Sequence, residues 1–202
     1  DGKIHGWLGF SDDRTLWFAT YWAKYPEPAE EDYATGYGGG YLMSCDVVTG
    51  DITDYGVPVG RVSWPYFSID RKRAKFFAVG RESQFLAWDM KTQRTLWAGY
   101  PPEGLEWAHR SVMVDEADGM VYSSNSHASD PEMHLIRYDL AKNRFFKLDC
   151  TIPPNRTSGE RAFIRAHTRH RGPDGLFWCV SQNGELFTFD PIRGVVEDKG
   201  LI

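Results

Sequence analysis

The sequence predicts an all-β fold built from short antiparallel strands, and two observations support this. Of the 202 residues, 15% are aromatic, and the chain also carries 20 glycines and 11 prolines. Aromatic residues favour strands, whereas glycine and proline favour the turns between them. In addition, a strand–turn–strand pattern recurs along the chain, and no stretch shows the period of an amphipathic helix.

The last repeat, residues 163–199, shows the pattern most clearly. A Gly-Pro-Asp-Gly turn at 172–175 precedes an apolar strand at 176–180, and an Asn-Gly turn precedes a strand that ends at Asp190. Turns of this composition join adjacent antiparallel strands. The Val-Val pair at 195–196 starts a fourth strand. The segment therefore predicts one four-stranded antiparallel unit.

Four strands end on an aspartate in the same way and give the repeat its period. These aspartates are Asp46, Asp89, Asp139 and Asp190. Each precedes a polar turn, and its carboxylate can accept N–H bonds from residues two or three positions further on. The intervals between the four aspartates are 43, 50 and 51 residues. A repeat of this length with four short strands predicts a β-propeller.

We predict a single propeller domain, or part of one, over residues 1–202. Its blades are expected at about 3–60, 61–104, 105–150 and 160–202. Because propellers commonly have four to eight blades, four units could close as a disc or belong to a larger ring. The chain starts on a first strand and ends after a fourth strand, which favours part of a larger ring of about seven blades.

One connection, residues 21–40, is much longer than the others. It contains prolines, an acidic patch and the sequence Gly36-Tyr37-Gly-Gly-Gly40. Loops of this length are usually functional or disordered. The connection is therefore either a floppy surface insertion or a lip that carries aromatic residues, including Tyr37, over a binding face.

The charge of the chain argues against two classes of partner. The net charge is -5 and the basic residues are dispersed, so no patch for nucleic acid is expected. No apolar run reaches 18 residues, so no membrane contact is expected either.

The candidate site emerges when the repeats are aligned on their first acidic turns, at Asp12, Asp70, Asp115 and Asp174. The same early position of the first strand then holds His5, Trp64, His109 and His167. First strands line the central channel of a propeller, so these four side chains are expected to converge at one mouth of that channel.

Neighbouring residues extend this cluster. Trp107 lies two positions before His109, and Arg165 lies two positions before His167, so each should share a strand face with its histidine. Arg110 and His170 are further candidates for binding a substrate. Such a cluster offers imidazoles that titrate near neutral pH, permanent cations and aromatic surfaces.

This set of groups suits an acidic sugar, because arginine pairs with carboxylates and aromatic rings stack on pyranoses. In a β-elimination, one histidine would remove the C5 proton of a uronate. A second histidine or Tyr37 would act as the general acid. Two or three of the histidines could instead hold a divalent metal such as Ca²⁺ or Mn²⁺ as a Lewis acid. The residues alone leave both mechanisms open.

Several segments resemble the β-propeller polysaccharide lyases. They are His5-Gly6, Gly36-Tyr37-Gly38-Gly39 and the Asp51-Ile-Thr-Asp54-Tyr-Gly56 segment. The resemblance implies a seven-bladed enzyme that cleaves a uronate-containing polysaccharide or oligosaccharide, with histidine, tyrosine and arginine or a histidine-bound metal in its central cleft. The chain has no His-x-His pair, which favours the metal-free site. A secreted or periplasmic location is expected.

Other interpretations stay open. Residues 175–190 also resemble streptogramin-lyase-like and gluconolactonase-like propellers, the second of which would need a divalent ion. A non-catalytic propeller that binds glycan or protein through its rim is the main alternative to a lyase.

Overall fold

The computed structural model describes residues 2–4, 6–22 and 29–202. These residues form seventeen strands and one five-residue helix. The chain divides into two compact units, Asp1–Gly99 and Tyr100–Ile202, and each unit contains two antiparallel sheets.

In the first unit, the first sheet has the strand order β1-β3-β4-β5, and β2 also pairs with β3. Its strands are β1 (Gly2–Ile4), β2 (Gly9–Phe10), β3 (Thr15–Trp22), β4 (Leu42–Asp46) and β5 (Ile52–Asp54). Because β1 and β2 pair with different halves of β3, they act as one interrupted strand. A short helix, α1 (Glu30–Ala34), lies between β3 and β4.

The second sheet of this unit is a simple meander in which chain neighbours pair. Its strands are β6 (Tyr66–Asp70), β7 (Lys75–Val79), β8 (Phe85–Asp89) and β9 (Arg94–Gly99). Rings from both sheets pack into one core, in which Phe67 and Phe76 stack with centroids 4.5 Å apart.

The second unit repeats this construction twice. Its third sheet contains β10 (Met113–Asp115), β11 (Met120–Ser124), β12 (His134–Asp139) and β13 (Arg144–Thr151). Its fourth sheet contains β14 (Ile164–His167), β15 (Phe177–Ser181), β16 (Glu185–Asp190) and β17 (Val195–Leu201). Both sheets contribute to a shared core that includes Tyr122, Phe177 and Phe189.

Four antiparallel four-stranded sheets, each a meander of consecutive strands, are the construction of β-propeller blades. The predicted fold class, an all-β arrangement of four propeller blades, is therefore confirmed. No helix in the described part of the chain is long and apolar enough to cross a membrane.

The aspartates that end the third strands fix the following turns, as predicted. At Asp46, Asp89, Asp139 and Asp190, a carboxylate oxygen accepts N–H bonds of 2.9 to 3.2 Å from residues two or three positions on. The first acidic turns use the same bond at Asp12, Asp70, Asp115 and Asp174.

Asp89 is firmly held in the ionised form. Burial alone would raise its pKa, but Lys75 and the N–H groups of Thr92 and Lys91 outweigh that effect and lower the pKa to about 2. The ordering of the turn after Asp89 therefore depends on a charged aspartate rather than on a neutral one.

Candidate functional site

The described half of the long connection is a packed lip, not a loose insertion. Its residues 29–40 lie against the segment that precedes β6. The N–H of Arg61 donates to the Gly38 carbonyl at 2.8 Å, and the N–H of Gly40 donates to the Val62 carbonyl at 2.7 Å. Residues 23–28 of the connection lie outside the described residues.

The lip contains α1, which no helical pattern in the sequence predicted. A five-residue helix is too short to show a period, and its first turn is made of Glu30, Glu31 and Asp32. Acidic residues there interact favourably with the helix N-terminus. The Asp32 carboxylate also accepts the N–H of Ala29 at 2.9 Å, which fixes the entry into the helix.

A pocket of about 260 Å³ opens beside this lip, and we name it the arginine pocket. Its lining residues are Tyr33, Arg61, Val62, Ser63, Arg81, Glu82 and Gln84. They come from α1, from the segment before β6 and from the turn between β7 and β8. All of them belong to the first unit.

Two tyrosines orient the two arginines of the pocket. The guanidinium of Arg61 lies 4.6 Å from the ring centre of Tyr33, and that of Arg81 lies 5.4 Å from the ring centre of Tyr21. Arg81 also donates to the Tyr21 hydroxyl at 3.0 Å. The ring of Tyr33 therefore holds the guanidinium of Arg61, and the ring and hydroxyl of Tyr21 hold that of Arg81.

Arg61 has an acidic partner in the free protein. Its Nη1 lies 2.6 Å from Oε1 of Glu30, and both side chains are largely exposed. Exposed ion pairs contribute only about 0–1 kcal/mol, so a carboxylate of a ligand can compete with Glu30 at little cost.

Tyr37, predicted as a general acid, lies next to the arginine pocket. Its hydroxyl is 2.6 Å from Oγ of the pocket residue Ser63, and its ring packs on Trp22 with centroids 4.6 Å apart. Burial raises the pKa of the Tyr37 phenol, and the bond to Ser63 only partly opposes this. The phenol is therefore protonated at neutral pH.

Trp64 is also in the first unit but is almost completely buried. Its indole forms part of the core between the first two sheets. The ring has no surface on which a sugar could stack. His5, the remaining candidate of this unit, lies outside the described residues.

His167 ends β14 in the second unit, and both of its ring nitrogens contact backbone groups. The N–H of Val112 donates to Nε2 at 3.2 Å, and Nδ1 lies 2.9 Å from the Thr168 carbonyl. Burial lowers the pKa of His167 to about 4, and the Thr168 carbonyl only partly opposes it. The ring is therefore neutral at pH 7 and joins β14 to the start of β10.

Trp107 and His109 do not share a strand face, contrary to the prediction. Trp107 is buried and donates from Nε1 to the Ser111 carbonyl at 2.7 Å, whereas His109 is exposed in a turn. Arg110 has a φ of 71°, a left-handed conformation that ends any extended path through this segment. The first strand of the third sheet consequently begins only at Met113.

The other predicted binding residues of the second unit lie near the end of β14. Arg165 is exposed on the strand, and His170 is half-buried in the turn that follows it. The neighbouring Arg171 pairs with Asp115 at 2.9 Å and ties this turn to the third sheet.

The structure thus distributes the predicted residues over both units. It brings Tyr37 into contact with Ser63, which lines the arginine pocket together with Arg61 and Arg81, and the sequence analysis did not single out these three residues. The bond between Tyr37 and Ser63 joins residues 26 positions apart, and no short motif marks it.

No group of three or more His, Cys, Asp or Glu side chains within the described ranges is arranged to hold a metal ion.

Comparison with known proteins identifies no family for this chain. The sequence matches no protein-family model and no curated protein.

Proposed function

We propose that this propeller recognises an acidic saccharide through the arginine pocket. The observation that carries the proposal is the pair of arginines, Arg61 and Arg81, which line one small pocket and are each held by a tyrosine. Guanidinium groups bind carboxylates through two parallel hydrogen bonds, and a uronate offers such a carboxylate on a ring that also contacts aromatic side chains.

The size of the pocket suits one sugar residue. At about 260 Å³ it lies below the range of about 300–1,000 Å³ that is typical for drug-sized ligands. Glu82 and Gln84 also line the pocket, and their side chains can exchange the hydrogen bond that joins them for bonds to sugar hydroxyls. A longer saccharide would extend beyond the pocket over the surface of the lip.

Calorimetric titration with trigalacturonate and with its methyl ester tests this proposal, because the ester keeps the shape and loses the charge. We expect the acid to bind at least tenfold more tightly than the ester, and Arg81→Gln to weaken binding of the acid by at least tenfold. Arg94→Gln, which changes an exposed arginine on β9, is the matched control and should bind normally. Equal affinity for acid and ester would contradict the proposal.

Cleavage of the bound uronate by β-elimination is the second candidate function, favoured by the protonated Tyr37 phenol beside the pocket. A base removes the C5 proton, the C4–O bond breaks, and Tyr37 delivers its proton to the leaving oxygen, which leaves an unsaturated uronate. The base is proposed to be His5, the predicted catalytic histidine of the first unit. A secreted or periplasmic location is proposed for a protein that meets polysaccharides.

Ultraviolet absorbance of the unsaturated product, followed with a panel of uronate polysaccharides, tests cleavage. We expect absorbance to grow with the intact chain and Tyr37→Phe to lower the rate at least 100-fold while trigalacturonate binding is retained, since general acid catalysis contributes about 10²–10⁴-fold. A flat trace with a chain that binds trigalacturonate would leave recognition as the function and contradict cleavage.

A further inference from the structure

A cluster of basic side chains lies at one end of the second sheet, in the first unit. The turn between β6 and β7 and the turn between β8 and β9 meet at this end. They lie side by side, because the N–H of Met90 donates to the Ala74 carbonyl at 3.0 Å. We name the basic residues of these turns and of the start of β7 the basic edge; they are Arg71, Lys72, Arg73, Lys75 and Lys91.

Two carboxylates at this end of the sheet are already paired with members of the basic edge. Nη1 of Arg73 lies 2.9 Å from Oδ2 of Asp70. Nζ of Lys75 lies 2.9 Å from Oδ2 of Asp89. Each of these cations offsets one carboxylate, so the other three cations leave the basic edge with a net positive charge, although the whole chain has a net charge of -5.

Lys72 and Lys91 lie exposed in the two turns. Neither ammonium group has a hydrogen-bond or ion-pair partner among the residues that the structure describes. An anionic ligand can therefore bind them without first breaking an internal pair. Arg71, next to Lys72, is also exposed and adds positive charge.

The fold does not require basic residues in the turn between β6 and β7. The Asp70 carboxylate accepts the N–H that fixes the turn, as the equivalent aspartates do in the other sheets. In the first sheet the equivalent turn, residues 12–14, reads Asp-Asp-Arg, and in the third sheet residues 115–118 read Asp-Glu-Ala-Asp. Mainly acidic side chains thus suit the same backbone, so the cations of the second sheet are available for a role in binding.

The surroundings of the basic edge exclude two kinds of anionic partner. Residues 70–75 and 89–93 contain no aromatic side chain, so the bases of a single-stranded nucleic acid would find no ring on which to stack. The equivalent turn of the first sheet carries Asp12 and Asp13, both exposed. These carboxylates would repel a broad anionic surface such as a membrane. A narrow, linear anion avoids them.

The chemistry of the two unpaired cations favours sulfate groups over carboxylates. A lysine ammonium is a compact charge with three donors, whereas the planar fork of arginine is the group that matches a carboxylate. Neighbouring strands lie about 4.8 Å apart, so the two turns, which are two strands apart, are separated by about 10 Å. Lys72 and Lys91 can therefore contact different charged groups of one polymer.

We propose that the basic edge binds a linear sulfated polysaccharide. Lys72 and Lys91 bind separate sulfate groups, and Arg73 and Lys75 keep the two carboxylates of the edge paired. The arginine pocket lies at the other end of the second sheet, because β6 separates the segment that contains Arg61 from the turn that contains Lys72. The basic edge is thus a second site, and the inference does not rest on the proposed function.

Fluorescence anisotropy of labelled heparin, titrated with the full chain, tests the kind of partner. We expect heparin to bind at least tenfold more tightly than oligouridylate of equal charge, and vesicles that contain phosphatidylserine not to bind. Heparin affinity should fall as salt is added, since the lysines are exposed and their charge is screened. Equal or tighter binding of oligouridylate or of the vesicles would overturn the proposal.

Variants test the location. We expect the double change Lys72→Gln and Lys91→Gln to weaken heparin binding at least tenfold, with the thermal unfolding midpoint unchanged because both side chains are exposed. The matched control, Lys142→Gln with Arg144→Gln, changes two exposed cations at the turn between β12 and β13 of the third sheet and should bind heparin normally.

Arg81→Gln separates this site from the arginine pocket, and it should also bind heparin normally. The double variant of the basic edge should in turn bind trigalacturonate as the unchanged chain does. The proposal is wrong if that variant keeps its heparin affinity, if the control pair loses as much, or if only Arg81→Gln loses heparin binding.

Discussion

Replacing Gly40 by alanine is expected to lower the free energy of unfolding by about 3 kcal/mol, because a rigid backbone surrounds the site. A Cβ atom at position 40 would lie 2.5 Å from the Thr20 carbonyl oxygen and 3.1 Å from Cα of Ser63. Neither atom belongs to a flexible side chain, so the lip must move away from β3 and from the segment before β6. Chemical denaturation of the intact chain measures the loss.

The same variant should also lose the arginine pocket. Gly40 donates to Val62, a lining residue, so displacement of the lip separates Tyr33 from Arg61. We therefore expect Gly40→Ala to bind trigalacturonate at least tenfold more weakly. Gly38→Ala is the matched control, because its Cβ would make only an ordinary contact of 3.7 Å with Val57. A comparable loss in both variants would show that the crowding around Gly40 is not the cause.

Truncation of Trp17 to alanine is expected to be the most damaging core change in the first unit. The indole stacks on Tyr55 with centroids 4.8 Å apart, meets Trp88 edge to face, and packs at a tilt against Phe76. It also donates from Nε1 to Oγ of Ser11 at 3.0 Å. Removing a buried tryptophan costs about 3–5 kcal/mol through lost burial and the cavity that remains.

Denaturant unfolding of Trp17→Ala and Trp178→Ala checks this expectation. Trp178 is 38% exposed and has one side-chain bond, from Nε1 to Asp174 at 2.7 Å. Its truncation should cost only about 1 kcal/mol, the contribution of one hydrogen bond. Equal losses in the two variants would mean that the ring cluster around Trp17 adds no special stability.

Local sequence patterns predicted the fold because blades are made of local contacts. The third strands that end at Asp89 and Asp139 begin at Phe85 and His134, the positions that the apolar patterns indicated. The aspartate turns were predictable for the same reason, since carboxylate and N–H groups are two or three residues apart.

The candidate site was less predictable, because its contacts join distant segments. The position of His167 in a repeat says nothing about Val112, 55 residues away, whose N–H occupies Nε2. Likewise, the sequence around Trp107 does not indicate that this side chain is buried in the core while His109 stays exposed. Alignment of repeats identifies equivalent backbone positions, but the direction of each side chain depends on bulges and turns specific to each blade.

The arginine pocket was not predicted at all. Arg61 and Glu30 are 31 residues apart, and Arg81 and Tyr21 are 60 residues apart. The sequence suggested only that the long connection could carry aromatic residues over a binding face. The arginines that contact this connection could be identified only from the structure, in which the lip packs on the segment before β6.

The meander order of the sheets also bears on how the chain folds. Apart from β1, which pairs with β3, and the long connection that precedes β4, strands that are neighbours in sequence pair within each sheet, so most contacts within a blade close short loops. Low contact order correlates with fast folding, and the entropy of closing long loops is avoided. We therefore expect the sheets that begin at β6, β10 and β14 to form early, and the sheet that contains the lip to form last.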